Sequence, residues 1–435
     1  MKSLHRHMAG TIIALIATVT LGWASPGSAQ TIRMWTFLNP AGTAPREKAL
    51  AEMIRGFEAA NPSMKIAVEQ QVWSQMTPKF LAAHNAGSAP DIIWAENDQL
   101  GDVLRAGALA DLSSAFIDKW PAPKIKERTD ALWNRCTDKG KVRCLVMSRN
   151  YVSILYRKDF LREAGINPAS ITTWETLRVA AQKLTLKDNT GAVRRWGYGQ
   201  QFSENQADPQ LMIPMMLGKQ PSIFQDAGKA NFATPAGVEA LRFQTDLVTK
   251  DGVTPPQAVS WTVEDLYDQF IAGRIAMITG GSVRVSTLQD KIGKDNVGLM
   301  LWPSFDGKKA SPGLSAGWSV GVWEKSKIKD AAAKFVEHMT SDSSDRLWVA
   351  VGGQLPFVPN LLVDMKEFSS KPENAAVGVA AQGISTASWV TPIDYSVSGF
   401  RQVLNKAAQQ VITSGVDPKA ALEEAEKTFA RQNSR

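Results

Sequence analysis

Aromatic and polar side chains stand at the ends of two short apolar runs that predict β-strands. Trp35 lies near the end of the run Thr31–Phe37, and a Glu-Asn-Asp sequence at 96–98 follows the run Asp91–Trp94. Aromatic ring faces offer a large contact area at a low entropic cost, and a few convergent polar groups orient a ligand in a mostly apolar cleft. These residues therefore favour a binding cleft for a small molecule.

The sequence offers little for covalent or metal-assisted catalysis. Residues 313–317 match the pattern G-x-S-x-G, but a nucleophile elbow needs a helix after the serine, and here an apolar strand is predicted at 320–323. Beyond residue 29 the chain contains two histidines, His84 and His338, without the spacing of a zinc site. We expect no metal and no other cofactor. Glycoside hydrolysis needs only two suitably placed carboxylates, so a secreted hydrolase with paired carboxylates in the same cleft stays open as the alternative.

The two cysteines, Cys136 and Cys144, enclose seven residues that include an Asp-Lys-Gly turn. A turn there can bring the two ends together as a hairpin. In an oxidising compartment a disulfide is the expected state, and closing so short a loop contributes about 2–3 kcal/mol in the chain-entropy model. A redox role would favour Cys-x-x-Cys spacing, so we expect a structural disulfide.

The N-terminus has the pattern of a cleavable secretion signal. Lys2 and Arg6 precede an apolar stretch from Met8 to Ala24, and the small residues Ser-Pro-Gly-Ser-Ala follow at 25–29. The apolar stretch is short for a membrane span, which needs about 20 residues. We expect cleavage after Ala29, which leaves 406 residues in the periplasm.

Size and charge restrict the class of protein further. A chain of 406 residues exceeds the roughly 250–300 residues that one hydrophobic core holds, so two lobes are expected. Loss of the signal lowers the net charge from +7 to +5, and the basic residues alternate with acids. Nucleic-acid binding usually needs a clustered basic patch, and we therefore expect no nucleic-acid partner.

Strands and helices alternate along the chain, which favours an α/β fold with parallel strands. Ligands of such sheets bind beyond the carboxyl ends of the strands. Strands are predicted at 31–37, 65–72, 91–94, 152–156, 275–279 and 297–301, and helices at 46–60, 77–85, 174–183, 263–272, 329–340, 399–413 and 417–430.

One long segment resembles a known family. Residues 89–112, APDIIWAENDQLGDVLRAGALADL, are similar to the signature of family 1 extracellular solute-binding proteins, the maltose-binding-protein-like components of ABC importers for sugars. Other segments of the family match in the same order at 155–168, 173–177, 270–282, 317–319, 326–335 and 417–425. The resemblance covers essentially the whole chain after the signal.

The resemblance implies a two-lobed periplasmic-binding-protein fold, type II-like, with a mainly parallel sheet flanked by helices in each lobe and a hinge between them. Applied to this chain, it assigns 30–145 with 298–325 to the N-terminal lobe and 146–297 with 326–435 to the C-terminal lobe, with crossings near 144–152, 297–303 and 322–328. It also implies a monomer without enzymatic activity that captures a small carbohydrate or polyol and delivers it to the membrane permease of an ABC importer.

The resemblance also nominates residues for ligand binding. Trp318, beside Gly317, is the expected stacking platform, because this position commonly lines the cleft in the family. Asp98 matches a position that often accepts hydrogen bonds from hydroxyl groups, although an Asp there could equally cap a helix. The other candidates, given by their place at strand ends or before the last helices, are Glu96, Trp35, Trp389 and Tyr395. Three further tryptophans, Trp73, Trp174 and Trp348, are expected in the core.

Arg284 departs from the family pattern, which usually has an aromatic residue after the Gly-Gly-Ser sequence at 280–282. A guanidinium group can hold a carboxylate, sulfate or phosphate through two parallel hydrogen bonds. Arg284 is therefore a candidate ligand-binding residue for an anionic group, with an ordinary surface arginine as the alternative.

Overall fold

The computed structural model describes residues 29–203, 211–225, 229–358, 360–392 and 397–433. The predicted signal peptide, 1–29, lies almost entirely outside the described residues. The strands are β1 (Gln30–Thr36), β2 (Met64–Gln70), β3 (Ile92–Glu96), β4 (Thr137–Asp138), β5 (Lys141–Val142), β6 (Leu145–Arg157), β7 (Leu186–Lys187), β8 (Val193–Gly199), β9 (Ile275–Gly281), β10 (Val297–Met300), β11 (Gly313–Val322) and β12 (Ser388–Trp389).

Helices separate most of these strands. They are α1 (Pro45–Ala60), α2 (Trp73–Ala86), α3 (Leu100–Arg105), α4 (Leu112–Ala115), α5 (Ala122–Arg128), α6 (Ala131–Arg135), α7 (Lys158–Glu163), α8 (Trp174–Leu184), α9 (Met212–Leu217), α10 (Pro235–Thr249), α11 (Val263–Ile271), α12 (Val285–Ile292), α13 (Lys329–Met339), α14 (Asp342–Ala350), α15 (Leu361–Asp364), α16 (Lys366–Ser369), α17 (Ala375–Thr386), α18 (Val397–Ser414) and α19 (Pro418–Asn433). No helix in the described part of the chain is long and apolar enough to cross a bilayer.

The helices begin and end where local chemistry favours it. Pro45 opens α1, a position that suits proline because its missing N–H would have no partner inside the helix. The side chain of Thr173 accepts a hydrogen bond from the backbone N–H of Thr176 and so caps α8. Asp417 caps α19 in the same way, through the backbone N–H groups of Lys419 and Ala420.

The main sheet is mixed and runs in the order β2-β1-β3-β11-β6-β9-β8-β7. β1 is parallel to β2 and β3, and β8 is parallel to β9. β11 and β6 in the middle are antiparallel to their neighbours. The α/β class is confirmed, and the parallel groups expected in each part are joined by two antiparallel strands into one curved sheet.

Two separate regions of core pack against this sheet. The first contains Trp94, Phe57, Phe335 and Trp348, and we call the part of the molecule built around it the first lobe. The second region contains two clusters, one with Trp302 and Phe400 and one with Tyr151 and Phe270, and the part built around them is the second lobe. The two-lobed fold is confirmed.

β6 and β11 cross between the lobes. In β6, Leu145 and Met147 pack in the first core, whereas Val152 and Ile154 pack in the second region. In β11 the order is reversed, since Leu314 and Ala316 pack in the second region and Val320 packs in the first. The predicted crossing at 144–152 falls on β6. Residues at 297–302 pack in the second region, and residues at 322–328 pack in the first. β11 connects the two core regions as β6 does, and its pairing with β3 and β6 continues the sheet.

The segment around Cys136 folds as predicted. β4 and β5 pair antiparallel, and the turn between them passes through Lys139 and Gly140, both with positive φ. The sulfur atoms of Cys136 and Cys144 are bonded, and both cysteines are fully buried in the first lobe.

Candidate functional site

A cavity of about 650 Å³ lies between the two lobes, beside the crossing strands. Its walls take residues from both lobes and from β6 and β11. The lining residues are Phe37, Leu38, Ala44, Arg46, Glu47, Gln70, Gln71, Val72, Trp73, Glu96 and Asp98 from the first lobe, Val263, Glu264, Tyr267, Gly281, Val283, Arg284, Thr287 and Arg401 from the second, and Asn150, Val152, Ala316, Gly317 and Trp318 from the crossing strands.

Trp318 and Gly317 form the part of the wall where β11 changes partners. Trp318 pairs with Glu96 of β3 and with Ser148 of β6, and the register with β6 shifts directly after it. Such irregularities re-aim a side chain. Gly317 has φ of 134°, and a Cβ atom there would lie 2.0 Å from the carbonyl oxygen of Ser148. Only glycine fits this position, and it sets the direction of the adjacent Trp318.

The Trp318 ring is backed by other aromatic rings. It lies 4.7 Å from the ring of Phe37, centroid to centroid, and Phe37 in turn meets Trp94 edge-on at 5.9 Å. Trp318 is 9% exposed, so most of its surface is fixed by packing and a small part reaches the cavity. Phe37, the first residue after β1, lines the cavity with it.

The first-lobe carboxylates lie at one end of the cavity. Asp98 Oδ2 accepts a hydrogen bond from Arg401 Nη2 at 2.8 Å, and Glu96 Oε1 lies 3.6 Å from the same nitrogen. Glu96 also accepts a hydrogen bond from Gln99. The other Asp98 oxygen, Oδ1, is buried and has no hydrogen-bond partner among the described residues. This end of the cavity thus places two carboxylate groups, both held by Arg401, where they can act as acceptors for hydroxyl groups.

Arginine and tyrosine side chains form a second polar region of the wall. Arg284 forms an ion pair with Glu264, and its guanidinium lies over the Tyr267 ring, 5.0 Å from the centroid. Burial raises the pKa of Tyr267, although the positive charges of Arg284 and Arg46 oppose that shift. Burial and the charge of Arg284 lower the pKa of Arg46 to about 10. Two guanidinium groups from different lobes therefore influence each other across the cavity.

Two of the predicted binding residues do not reach the cavity. Trp35 is buried in the first core, and its indole N–H donates to Glu69 Oε2 at 2.7 Å. These residues are neighbours in the β1–β2 register, so the cross-strand partner Glu69 satisfies the one polar atom of the Trp35 side chain. Trp389 stacks on Phe224 and contacts Phe400 in the second lobe. Tyr395 lies outside the described residues.

Of the three tryptophans expected in the core, two are buried there and the third also lines the cavity. Trp174 and Trp348 are 3% and 0% exposed, as predicted. Trp73 packs against the first core but is only half-buried and also lines the cavity. It opens α2, and a residue at a helix start next to a cleft has one face free.

Sequence reasoning missed several lining residues, among them Phe37, Arg46, Tyr267 and Arg401. One signal was present for Arg46. It lies in the first turn of α1, where the helix dipole disfavours a positive charge. Local rules are most often broken at functional sites, so an arginine at this position marks a candidate. Arg401 carries no such signal, because its approach to Asp98 depends on packing across 303 residues.

Other arrangements in the described residues do not suggest catalysis. Residues 313–317 lie within β11, so Ser315 is not followed by the turn and helix of a nucleophile elbow. No group of three or more His, Cys, Asp or Glu side chains in the described ranges could hold a metal ion. A second cavity of about 900 Å³, beside Trp174 and Phe243, is lined by the second lobe alone, so lobe closure could not enclose its contents.

Comparison with known proteins agrees with this geometry. A model of the family described as bacterial extracellular solute-binding protein matches residues 40–345. An arabinooligosaccharide-binding protein of Bacillus subtilis (strain 168) is 23% identical over 331 residues, which are 74% of this chain and 72% of the relative.

Two solved structures show the same fold. One is an ABC transporter solute-binding protein from Thermotoga lettingae bound with α-D-tagatose, with a TM-score of 0.79, 21% identity, and coverage of 92% of this chain and 99% of the other. The second is an ABC substrate-binding protein from Listeria monocytogenes in complex with cycloalternan, with a TM-score of 0.77, 24% identity, and coverage of 93% and 99%.

Proposed function

The chain belongs to the family of bacterial extracellular solute-binding proteins, and from this premise we propose that it captures a carbohydrate or polyol between its lobes and delivers it to the membrane permease of an ABC importer. The observation that carries the proposal is the inter-lobe cavity, in which Trp318 and Phe37 lie near the carboxylates of Glu96 and Asp98. The ligands named for the three similar proteins support a carbohydrate.

The ligand's place in the cavity follows from the chemistry of the walls. The exposed part of Trp318 packs against the C–H face of a sugar ring, and the carboxylates of Glu96 and Asp98 accept hydroxyl hydrogen bonds. Gly317 acts through Trp318 by setting the strand geometry. Arg284 offers hydrogen-bond donors from the second lobe. A ligand that contacts both Trp318 and Arg284 therefore connects the two lobes.

The lobes themselves are proposed to divide differently from the sequence-based assignment. Helices α13 and α14 place Phe335 and Trp348 in the first core, which supports assigning 329–350 to the first lobe rather than to 326–435 of the second. Trp302, expected in the first lobe as part of 298–325, packs in the second. We propose 30–147 with 318–350 for the first lobe and 152–316 with 361–433 for the second. The segment around 355–357 is shared, because Leu355 packs in the second lobe and Phe357 in the first.

Ligand binding would shift the lobes towards a closed form. A ligand that touches both walls binds the closed arrangement more tightly than the open one, and only this difference in affinity can move the equilibrium. The permease then recognises the closed form. The protein acts as a monomer in the periplasm after removal of residues 1–29.

The hydrolase alternative gains no support. The matching family is one of solute-binding proteins, and Glu96 and Asp98 share the guanidinium of Arg401. Two carboxylates held by one cation suit the acceptance of hydroxyl hydrogen bonds. A hydrolase would instead need two carboxyl groups in different roles on opposite sides of the scissile bond.

A thermal-shift screen tests the proposal. The purified protein without residues 1–29 is heated with tagatose, maltotriose, arabinotriose, galactose, sorbitol and the corresponding sugar acids, and with amino acids as a different class. A true ligand present at 100 times its dissociation constant stabilises by about 2.7 kcal/mol. Stabilisation by at least one carbohydrate or polyol, and by no amino acid, is expected. Stabilisation by amino acids alone would contradict the proposal, and so would release of reducing sugar from a bound glycoside.

A further inference from the structure

Arg46 is a cation without a partner in the wall of the inter-lobe cavity. It makes no hydrogen bond and no ion pair with any described residue, and its Nε is buried. Its guanidinium lies over the face of the Phe37 ring, 5.5 Å from the guanidinium carbon to the centroid. A partly buried cation that makes no hydrogen bond or ion pair costs free energy, so this arrangement requires an explanation.

The nearest carboxylate in sequence does not provide the partner. Glu47 Oε1 and Oε2 accept hydrogen bonds from the backbone N–H groups of Asn39 and Ala44. These bonds cap the first turn of α1, so the Glu47 carboxylate is held by the backbone. Arg46 also stands in that first turn, where the helix dipole disfavours a cation.

A second guanidinium faces Arg46 from the other lobe. Arg284 lines the same cavity, and its positive charge is one of the causes that lower the pKa of Arg46. Arg284 is itself paired with Glu264, but Glu264 is half exposed and bonds one side of a group that has five N–H donors. Two cations from opposite lobes in the wall of one cavity repel each other. Glu264 and Glu47 act on Arg46 in the opposite sense, each more weakly than Arg284.

We infer that this cavity takes an anionic carbohydrate, whose negatively charged oxygens bridge Arg46 of the first lobe and Arg284 of the second. The inference rests on the proposed function and narrows its ligand class. A carboxylate or phosphate group on the sugar accepts two hydrogen bonds from each planar guanidinium. Binding removes the repulsion between the two arginines, so the anion favours lobe closure and contributes to affinity at the same time.

The test compares acids with their neutral counterparts. Isothermal titration measures the binding of galacturonate against galactose, glucuronate against glucose, and trigalacturonate against the galactose trimer, with glucose 6-phosphate to separate carboxylate from phosphate. The proteins are the wild type, Arg46→Gln, Arg284→Gln and Arg55→Gln. Arg55 lies on the same helix α1, outside the cavity, with its side chain 74% exposed and a long contact of 3.8 Å to Glu52, so its substitution makes the same charge change without touching the site.

We expect at least one acid to bind the wild type ten times or more tightly than its neutral counterpart. Arg46→Gln and Arg284→Gln should each weaken the binding of that acid at least tenfold, whereas Arg55→Gln should leave it unchanged. Without ligand, the melting temperature of Arg46→Gln should equal or exceed that of the wild type, because an unpartnered charge has been removed. A merely structural arginine would instead lower it.

Equal or tighter binding of the neutral sugars overturns the inference and leaves the proposed function intact. The same holds if the acid binds Arg46→Gln and Arg284→Gln as well as it binds the wild type. If neither acids nor neutral sugars bind or stabilise the wild type, the proposed function fails together with the inference.

Discussion

At the scale of single residues, the cavity depends on aromatic rings and charges that the surrounding structure holds in place. Trp318 cannot move far, because Phe37 lies against its ring and β-strands fix its backbone on both sides. A rigid platform loses little entropy when a ligand binds. This is the physical reason to expect that Trp318 contributes strongly to affinity.

Replacing Trp318 with alanine should weaken the binding of the best ligand of the screen at least tenfold, which corresponds to about 1.4 kcal/mol. Titration calorimetry measures the effect. Trp389→Ala is the matched control, because it removes the same side chain from the core of the second lobe, away from the cavity. That variant should melt at a lower temperature and keep the dissociation constant of the wild type. Unchanged affinity in Trp318→Ala would remove this residue from the site.

His84 should make stability depend on pH. Its Nδ1 accepts a hydrogen bond from the indole N–H of Trp323 at 3.1 Å, which requires an unprotonated Nδ1. Burial and the nearby charge of Lys325 lower the pKa of His84. The unfolded chain therefore binds the proton more readily, and the contribution of His84 to stability is complete above about pH 6.5 and is lost as the pH falls through the lowered value.

Urea unfolding at pH 7.5 and pH 5.5 measures this contribution. The wild type should lose more unfolding free energy on acidification than His84→Asn, in which the side-chain oxygen keeps an acceptor near the position of Nδ1 but does not titrate. Equal losses in the two proteins would show that His84 does not titrate differently on folding.

The residues that sequence could and could not predict differ in how local their surroundings are. Asp98, Glu96 and Trp318 follow from the strand ends and from the resemblance, and all three line the cavity. Trp35 satisfies the same sequence criterion, yet it is turned into the core by a partner on β2. Such a cross-strand contact is invisible until the register of the sheet is known.

At the scale of elements, β11 is one of the two strands that connect the lobes, and it carries Gly317 and Trp318 of the site. The irregular pairing at Gly317 and Trp318 needs a residue that adopts positive φ and has no Cβ. A position of this kind stores strain for any other residue, at a cost of order 1–3 kcal/mol for the backbone alone.

Gly317→Ala should lower the unfolding free energy by about 2 kcal/mol or more, through positive φ and the clash with Ser148. Gly378→Ala is the control, because Gly378 is exposed in the middle of α17 and a Cβ atom there meets no other atom within 4 Å. The Gly378→Ala substitution should raise the unfolding free energy by roughly 0.5–1 kcal/mol. Urea unfolding of both variants checks the pair, and a neutral Gly317→Ala would contradict the geometry described for β11.

Most elements were predictable, whereas their assembly was not. The predicted strand Thr31–Phe37 and helix 46–60 agree with β1 and α1 to within one residue at each end, because apolar periodicity and the capping residues are local signals. β11 was predicted only at 320–323 and extends over Gly313–Val322. Its first half is rich in Gly, Ser and Ala, and it becomes a strand because β3 and β6, more than 150 residues earlier, lie on either side of it.

At the scale of the whole molecule, two lobes share one sheet, with a cavity of about 650 Å³ where they meet. Length predicted two lobes, and the resemblance implied three crossings of the chain between them. The positions of the crossings depend on which strands pair, and the sequence contains no local signal for that. For this reason one of the three predicted crossings falls on β6, whereas β11, which also contributes to both cores, was not among the predicted crossings.

Small-angle X-ray scattering of the protein without residues 1–29, alone and with saturating ligand from the screen, tests the central claim most directly. If the ligand is held between two lobes that close on it, the radius of gyration should fall while the forward scattering stays that of a monomer. A radius of gyration that is unchanged at saturation would contradict capture by closure of the two lobes.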